Sequence, residues 1–233
     1  MAEIHTMFRE FTPEELLGPL NDLEKRRSPK SLFVAGDPAL FRVQPRVSVV
    51  GSRRVSPEGI KRAEKVVRKL VEHGAIIVSG LAEGVDTAAH RAAIEAKGRT
   101  VAVIGTPLDE VYPKSNAELQ HQLMEQHAVV SQFPAGYPIR RQNFPMRNAT
   151  MALIVCASVI VEAGETSGAL SQGWETLRLG RMLFLMESVV QNPRLHWPKE
   201  MLNYGAQVLS DRNLSAFLQA LPVGEMTGDA IIV

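Results

Sequence analysis

The sequence predicts an α/β fold of the extended Rossmann-like, doubly wound type, with a mainly parallel sheet and helices on both faces. From Val47 onward, short apolar runs alternate with amphipathic helix patterns, and such alternation implies right-handed crossovers between parallel strands. The first two runs end in corners of small residues, Gly51-Ser52-Arg53 and Ser79-Gly80. Corners of this kind lie at the carboxyl ends of strands in open sheets, where anionic ligands bind.

The first thirty residues predict a short helical lead-in. Thr12-Pro13 precedes a helix pattern around Glu14–Arg26, and Ser28-Pro29 ends it. Residues 31–221 are assigned to the Rossmann-like domain, which begins with a further lead-in from Leu32 to Val43. Residues 222–233 are expected to form a flexible tail.

Six strands are predicted because the runs are short, apolar and mostly β-branched, as in strands buried on both faces. They are Val47–Val50, Ile76–Val78, Val101–Ile104, Ala128–Ser131, Val159–Glu162 and Met182–Leu185. Ala206–Ser210 is predicted as an edge strand.

Helices are predicted between the strands. Pro57–His73 carries an apolar stripe, with Ser56 as its cap and Gly74 at its exit. A capping box, Ser115-Asn116-Ala117-Glu118, predicts a helix that runs to Gln126. Two further helices are expected at Ser167–Leu179, which Gly180 closes, and Leu214–Leu221.

Composition indicates an ordinary globular domain: 233 residues, 45% hydrophobic, 22% charged and a net charge of +1. The lone Cys156 excludes an intrachain disulfide and a thiolate zinc site, and is expected to be a small core residue. No stretch has the length or spacing of a membrane span, signal peptide or metal site. A cytoplasmic location without metal or cofactor is therefore expected.

Basic residues are concentrated in two segments. Between Arg42 and Lys69 there are nine Lys and Arg against two acids, and between Phe133 and Ile160 there are three Arg and no acid. Such segments are either solvated helix faces or parts of one binding surface for an anion.

The first corner has the donors that a phosphate needs. Ser52 and the adjacent amides can donate to an oxyanion, and Arg53 offers a planar bidentate donor. The second and third glycines of the dinucleotide fingerprint are missing. The alternative is an ordinary turn with an exposed arginine.

The second corner runs from Ser79-Gly80 to Gly84, Asp86 and His90. Its glycines allow the backbone to approach a ligand closely. Asp86 and His90 are four residues apart, which allows either a catalytic pair or, as we favour, a capping aspartate and a structural histidine.

A third element combines arginine, asparagine and an aromatic in an expected loop. Arg140 and Arg141 precede Asn143-Phe144-Pro145, and Arg147-Asn148 follow. Arginine beside an aromatic suits a single strand, whose phosphates and bases they contact respectively. The alternative is a covering loop in which Phe144 is buried.

Two further places complete the candidate set. In Glu162–Gly168, the amides of Ser167 and Gly168 stand at a helix start. Glu162 is expected to be structural, and Glu165 is compatible with an anion only if it points away. Lys114 follows Tyr112-Pro113 and is a further candidate phosphate contact.

These residues resemble the DNA-processing protein DprA family, also called Smf. The resemblance rests on Gly51-Ser52-Arg53, on the second corner through His90, and on further segments in the same order, over roughly residues 28–215. The further segments are Thr100–Gly105, Leu108-Asp109, Tyr112-Pro113 with Asn116, Phe144-Pro145 with Arg147-Asn148, Glu162-Ala163 with Ser167-Gly168, and Gly205-Ala206. Departures follow Asn148 and the sixth strand, where Met186-Glu187-Ser188 replaces Val-Pro-Gly.

The resemblance implies a non-enzymatic protein that binds single-stranded DNA, loads the RecA recombinase, acts in recombination and natural transformation, and forms a homodimer. Arg53 matches the family's DNA-contacting arginine. The predicted DNA or phosphate contacts are Gly51, Ser52, Arg53, Ser79, Gly80, Gly84, Lys114, Asn143, Phe144, Arg147, Asn148, Ser167 and Gly168.

The second hypothesis is a nucleotide-binding protein or nucleoside-monophosphate hydrolase similar to the "lonely guy" phosphoribohydrolases. Those enzymes carry Pro-Gly-Gly-x-Gly-Thr-x-x-Glu after a central strand. The corresponding stretch here, Gly164-Glu165-Thr166-Ser167-Gly168, lacks the glycine pair and the downstream glutamate. This departure favours binding over hydrolysis.

Overall fold

A nine-stranded sheet forms the centre of the structure, a computed structural model that describes residues 8–222 and 224–225. The strands are β1 (Arg9–Phe11), β2 (Leu32–Gly36), β3 (Val43–Gln44), β4 (Arg46–Val50), β5 (Ile76–Ser79), β6 (Thr100–Ile104), β7 (Ala128–Ser131), β8 (Ala157–Ile160), β9 (Met182–Met186), β10 (Gln207–Leu209) and β11 (Gly224–Glu225). The helices are α1 (Pro13–Leu17), α2 (Asp22–Arg27), α3 (Pro57–Glu72), α4 (Val85–Glu95), α5 (Ala117–Gln126), α6 (Asn143–Ile154), α7 (Ala169–Arg178), α8 (Glu187–Val190), α9 (Trp197–Asn203) and α10 (Leu214–Ala220).

The strand order is β1-β2-β7-β6-β5-β4-β8-β9-β10. Every neighbouring pair from β7 to β10 is parallel, whereas β1 and β2 add antiparallel at one edge. The predicted fold class, with its mainly parallel sheet, is confirmed. From β4 the chain first proceeds to β7 on one side and then returns to β8 on the other, so the topological switch point lies between β4 and β8.

Helices cover both faces of the sheet. Successive side chains of a central strand point to opposite faces, and both faces are buried. Val47 and Val49 pack with α3, α4 and α10 on one side, and Val50 packs with α6 and α7 on the other. The predicted α3 is confirmed to within one residue, and Ser56 caps it by accepting from Gly59 N at 3.0 Å. Cys156 is partly buried and packs against the core, and burial raises the pKa of its thiol to about 11.

The lead-in is more ordered than the sequence predicted. Gly18 separates two short helices, α1 and α2, and each begins with a capping box, from Thr12 and Asn21 respectively. The segment from Leu32, predicted only as a lead-in, contains β2, which pairs with β7 and carries β1 into the sheet. Most of the predicted tail lies outside the described residues, although Gly224–Glu225 pairs with β3.

Two local predictions are wrong. The capping box at Ser115 does not form, since the Ser115 hydroxyl donates to Glu83 at 2.7 Å and α5 begins at Ala117 without a side-chain cap. The segment expected as a loop contains α6, a twelve-residue helix. Pro145 is its third residue, where a backbone N–H has no acceptor within the helix, so proline is tolerated there. The strand predicted at Val159–Glu162 is displaced by two residues, because β8 begins at Ala157 and ends at Ile160.

Candidate functional site

A cleft of about 390 Å³ lies at the switch point, where β4 and β8 end. We call it the primary cleft, and its walls are the first corner (residues 51–54), the fourth corner (residues 164–169) and one side of α6. Eight of the thirteen predicted contacts line it: Gly51, Ser52, Arg53, Phe144, Arg147, Asn148, Ser167 and Gly168. Arg54, Met151, Thr166 and Gln172 also line it and were not predicted as contacts.

Arg53 and Phe144 stand together at the mouth of the primary cleft. The Arg53 side chain is exposed, and its guanidinium carbon lies 5.6 Å from the centre of the Phe144 ring. The Tyr112 ring lies 5.4 Å from Phe144 on the side of a second cleft of about 50 Å³. A guanidinium over an aromatic face is a favourable cation–π arrangement that leaves the charge accessible.

The backbone of the first corner is fixed by its neighbours. Ser52 N donates to Glu162 O at 2.6 Å, and Ser52 O accepts from Val85 N at 3.2 Å. Gly84 has a φ of +78°, and a Cβ there would overlap Ser52 O. Gly84 is therefore a packing requirement that allows the second corner to contact the first.

Glu162 holds the first corner against α3. Its carboxylate accepts from Ser56 N at 2.8 Å, Ser56 Oγ at 2.6 Å and Arg62 Nη2 at 3.0 Å. The prediction that Glu162 is structural is confirmed. The Glu165 carboxylate accepts from His196 N and does not line the primary cleft, so it does not oppose an anion bound there.

The second corner is an internal turn. Asp86 is buried and accepts from Gly80 N at 3.1 Å and Ala82 N at 3.4 Å, while the Ser79 hydroxyl donates to Val49 O at 2.7 Å. Asp86 is not the predicted cap, since α4 has no side-chain cap. Burial raises the pKa of the Asp86 carboxyl, and Arg147 opposes that rise. Ser79 was predicted as a contact, but it is fully buried and its side chain is not accessible to a ligand.

His90 has a structural role. Its Nδ1 lies 2.7 Å from Thr100 Oγ1, and the ring is fully buried. Burial lowers the pKa of His90 to about 3, with His127 and Arg147 adding to the decrease. A neutral imidazole that bonds to Thr100 agrees with the structural alternative, and the catalytic Asp–His pair is not formed.

Arg147 is part of the cleft floor, whereas the sequence placed it in an exposed loop. Its Nη1 donates to Gly80 O at 2.5 Å and to Val103 O at 2.7 Å, and the side chain is buried. A Cβ at Gly80 would overlap this guanidinium, so the glycine makes room for it. Burial lowers the pKa of Arg147, and the carboxylate of Asp86 counters that effect.

Five predicted contacts do not line the primary cleft: three belong to the second corner, and the other two are Asn143 and Lys114. Asn143 is fully buried, and its Nδ2 donates to Pro138 O at 3.1 Å, which removes it from the contact set. Lys114 is exposed, beyond Pro113 of the second cleft. Arg140 and Arg141 are also exposed but line neither of these two clefts.

The fourth corner closes the primary cleft opposite Arg53. Asn148 Nδ2 donates to Gly168 O at 3.1 Å, which joins α6 to the start of α7. Ser167 N donates to Gly164 O at 3.1 Å, and its hydroxyl accepts from Ala169 N at 3.3 Å. The N-terminal end of α7, a helix of ten residues, therefore borders the cleft with the partial positive charge that favours anions.

The described residues that line the primary cleft supply cationic, amide and aromatic groups and few side chains that could transfer a proton. Asp86 is the one carboxylate among the described residues that line it, and two amides engage that carboxylate. The described residues contain no group of three or more His, Cys, Asp or Glu that could hold a metal ion. Among the same residues, none of the helices is long and apolar enough to cross a membrane.

A family model described as DNA recombination-mediator protein A matches residues 11–221. The chain is 37% identical over 183 residues to the DNA processing protein DprA of Streptococcus pneumoniae, covering 78% of this chain and 64% of that protein. It is 34% identical over 220 residues to protein Smf of Escherichia coli, covering 91% of this chain and 57% of that protein. The chain thus spans less than two thirds of the length of these relatives.

Solved structures show the same fold. The X-ray structure of DprA from Streptococcus pneumoniae superposes with a TM-score of 0.77 at 34% identity, covering 90% of this chain and 74% of that one. DNA processing protein A from Helicobacter pylori, described as having a unique single-stranded DNA binding mode, gives the same TM-score at 23% identity, covering 91% of this chain and 94% of that one. At that identity, the second likeness shows the fold alone.

Proposed function

This chain belongs to the DNA recombination-mediator protein A family, and on that premise we propose that its primary cleft binds single-stranded DNA. The observation that carries the proposal is the pairing of Arg53 with Phe144 at the cleft mouth. The guanidinium supplies a charge for a phosphate, and the aromatic ring supplies a face on which a base can stack. The neighbouring Arg54 adds a second exposed cation on the same rim.

The bound strand follows the rim of the cleft in this proposal. Phosphates lie against Arg53, Arg54 and the N-terminal end of α7, and a base enters beside Phe144. Arg147 lies beneath the strand and does not contact it, because its guanidinium donates to the Gly80 carbonyl and fixes that turn. The phosphate is bound by the exposed donors of Arg53. Lys114 lies beyond the second cleft and is a candidate for a phosphate further along the strand.

Binding without turnover is part of the proposal. General acid–base chemistry requires a positioned side chain with an accessible proton site. Asp86 is buried and bonded to two amides, and Glu162 is engaged by Ser56 and Arg62. The nucleotide-hydrolase alternative is not favoured, because the cleft lining offers no further carboxylate among the described residues.

The wider biological role follows the family name. We propose that the protein acts in DNA processing and recombination, with RecA as the partner onto which the bound strand is transferred. Homodimer formation, a role in natural transformation and a cytoplasmic location remain predictions from the resemblance.

The proposal is tested by fluorescence anisotropy with a labelled oligo-dT across a salt series. We expect affinity to fall steeply with salt, because each phosphate contact releases counterions. Arg53→Ala should weaken binding about tenfold at low salt, since it removes one charge-assisted contact. Arg91→Ala is the matched control, because Arg91 is exposed on α4 and lines neither cleft. Equal losses in the two variants would remove Arg53 from the site, and absence of binding at low salt would refute the proposal.

A further inference from the structure

A third cleft, of about 360 Å³, lies beside α3 at the carboxyl ends of β9 and β10. Its lining includes the segments in which these two strands end, residues 186–188 and 209–212, together with Arg62 and Lys65 of α3. This cleft is almost as large as the primary cleft. The contacts proposed above for DNA all lie in or beside the other two clefts, so the third cleft has no occupant so far.

The three clefts form a row along one edge of the sheet. The neighbouring strands β6, β5, β4, β8, β9 and β10 run parallel, so their carboxyl ends lie at the same edge. Gly80 and Gly105, which follow β5 and β6, line the second cleft, and the primary cleft lies where β4 and β8 end. Since neighbouring strands are about 4.8 Å apart, the centres of the primary and third clefts are separated by about 10 Å along the edge. A row of clefts at this spacing suits a linear polymer.

One short ridge separates the third cleft from the primary cleft. Ser52, which lines the primary cleft, donates from its backbone N to Glu162 O at 2.6 Å. The Glu162 carboxylate accepts from Arg62 Nη2 at 3.0 Å, and Arg62 lines the third cleft. The side chains of Arg62 and Glu162 are 30% and 26% exposed, so this ridge is open to solvent. A strand that leaves the primary cleft across the ridge therefore enters the third cleft beside Arg62.

The charges of the third cleft favour a phosphate. Its cations are Arg62, Lys65 and Arg212, and its carboxylates are Glu187 and Asp211. Lys65 Nζ donates to Asp211 Oδ1 at 2.7 Å, which compensates that carboxylate. Arg212 is exposed, and its guanidinium makes no hydrogen bond or ion pair with the described residues. Its planar set of donors is therefore available to a phosphate, whereas Glu187 supplies an opposing charge.

We propose that the third cleft binds the next phosphates of the single strand held in the primary cleft, with Arg212 as the contact; this rests on the proposed binding of single-stranded DNA. The strand then runs along the carboxyl edge of the sheet, from β4 and β8 toward β9 and β10, on the side opposite Lys114. Nucleotides of a stacked strand rise about 3.4 Å each, so about three of them span the distance between the two clefts.

The experiment compares two oligo-dT strands by fluorescence anisotropy at low salt, a labelled dodecanucleotide and an unlabelled tetranucleotide that competes with it. A stacked tetranucleotide centred on the primary cleft extends about 5 Å to either side and ends before the third cleft. Arg212→Ala should weaken binding of the dodecanucleotide about fivefold, as expected for the loss of one exposed ion pair. The same variant should change the affinity for the tetranucleotide by less than about twofold.

Glu187→Gln should have the opposite effect. It removes the opposing negative charge from the third cleft and keeps the size of the side chain. We expect the dodecanucleotide to bind about threefold more tightly, with the tetranucleotide affinity unchanged. A gain in affinity that depends on strand length is not expected from a residue that serves only the fold.

Arg91→Ala is the matched control, because Arg91 is an exposed arginine on α4 that lines none of the three clefts. This variant should bind both strands as the unaltered protein does. Thermal unfolding followed by circular dichroism checks that each variant is folded. Should Arg212→Ala fail to fold, the gain expected for Glu187→Gln still decides the question.

The outcomes separate this inference from the proposed function. If neither strand binds the unaltered protein at low salt, the proposed function itself is wrong. If both strands bind and Arg212→Ala behaves like Arg91→Ala, the third cleft lies off the path of the strand while DNA binding stands. If Arg212→Ala weakens both strands equally, Arg212 acts through the overall charge of the protein, and the inference is again wrong.

Discussion

The rim and the floor of the primary cleft each present an arginine, and the two are used differently. Arg53 on the rim is exposed, with its guanidinium over Phe144. Arg147 on the floor is buried and donates to two backbone oxygens. The resemblance predicted both arginines as DNA contacts, yet only Arg53 keeps its charge accessible. The comparison teaches that an arginine's role depends on whether its donors are already committed to the fold.

The floor is stabilised by mutual compensation of charges. Asp86 and Arg147 are both buried, and each moves the pKa of the other toward the charged form. Together they hold the turn from Gly80 to Ala82, where Leu81 has a φ of +58° and its carbonyl accepts from Asn116 at 2.9 Å. The rim arginines, Arg53 and Arg54, are exposed and form no such buried pair among the described residues, so we expect their substitution to have little effect on folding.

Arg147→Met should have the largest effect on the free energy of unfolding. It leaves Asp86 without its compensating charge and two carbonyl oxygens without their donor. We expect a loss of about 3 kcal/mol or more, as when one partner of a buried charged pair is removed. Urea denaturation followed by circular dichroism measures it. The double variant Arg147→Met, Asp86→Asn should recover part of the loss, and a single variant within 1 kcal/mol of the unaltered protein would show that the floor tolerates isolated charge.

Acid should destabilise the interior through His90. Its pKa in the fold is about 3, compared with 6.5 for the ordinary group. The stability that this depressed pKa contributes is complete above pH 6.5, and it is lost as the pH falls from 6.5 toward 3, because the unfolded chain takes up a proton that the fold excludes. We expect the advantage in unfolding free energy over His90→Gln to fall by about 1.4 kcal/mol per pH unit in that window.

The difference between the two proteins is the quantity to measure, because Asp86 has a raised pKa and titrates in the opposite sense. Both proteins contain Asp86, so its contribution cancels to first order. Urea denaturation at four pH values between 6.5 and 4.5 is sufficient. A difference that stays constant over this window would show that His90 gains a proton in the folded protein as readily as in the unfolded chain.

Arg54→Ala should have the smallest effect on stability and still weaken binding. Its side chain lines the cleft and is exposed, while its backbone N–H, which donates to Ser52 Oγ, is retained in the variant. We expect a change below about 0.5 kcal/mol in unfolding free energy. The slope of log affinity against log salt for single-stranded DNA should become shallower by about 0.7. An unchanged slope would place the strand away from Arg54.

The strands were predictable from the sequence because strands buried on both faces form short apolar runs, and β7 was predicted with its observed bounds. Helix α6 was missed because its Phe-Pro start resembles a loop, and a proline in a first turn cannot be told from a helix breaker without the neighbouring contacts. The edge strands β1 and β2 were missed as well. β2 joins the sheet by antiparallel pairing with β7, and β1 by antiparallel pairing with β2, which no local pattern indicates.

The position of the site was predictable, but the burial of its members was not. The corners at Gly51 and Ser167 had to meet near one edge of a parallel sheet, and both line the cleft. Whether Arg147 points to solvent depends on the absence of a side chain at Gly80, which lies 67 residues away in sequence. Gln172 also lines the cleft and packs on Ser48 and Ser158, and no pattern in the sequence indicated this position.

The strand order has a consequence for protein synthesis. The walls of the cleft come from β4, near residue 50, and from β8 and α7, which end near residue 178. The intervening strands β5, β6 and β7 are translated before the second wall exists. A nascent chain therefore cannot present the complete cleft until the residues of α7 have left the ribosome, which delays any engagement of nucleic acid until the second wall has folded.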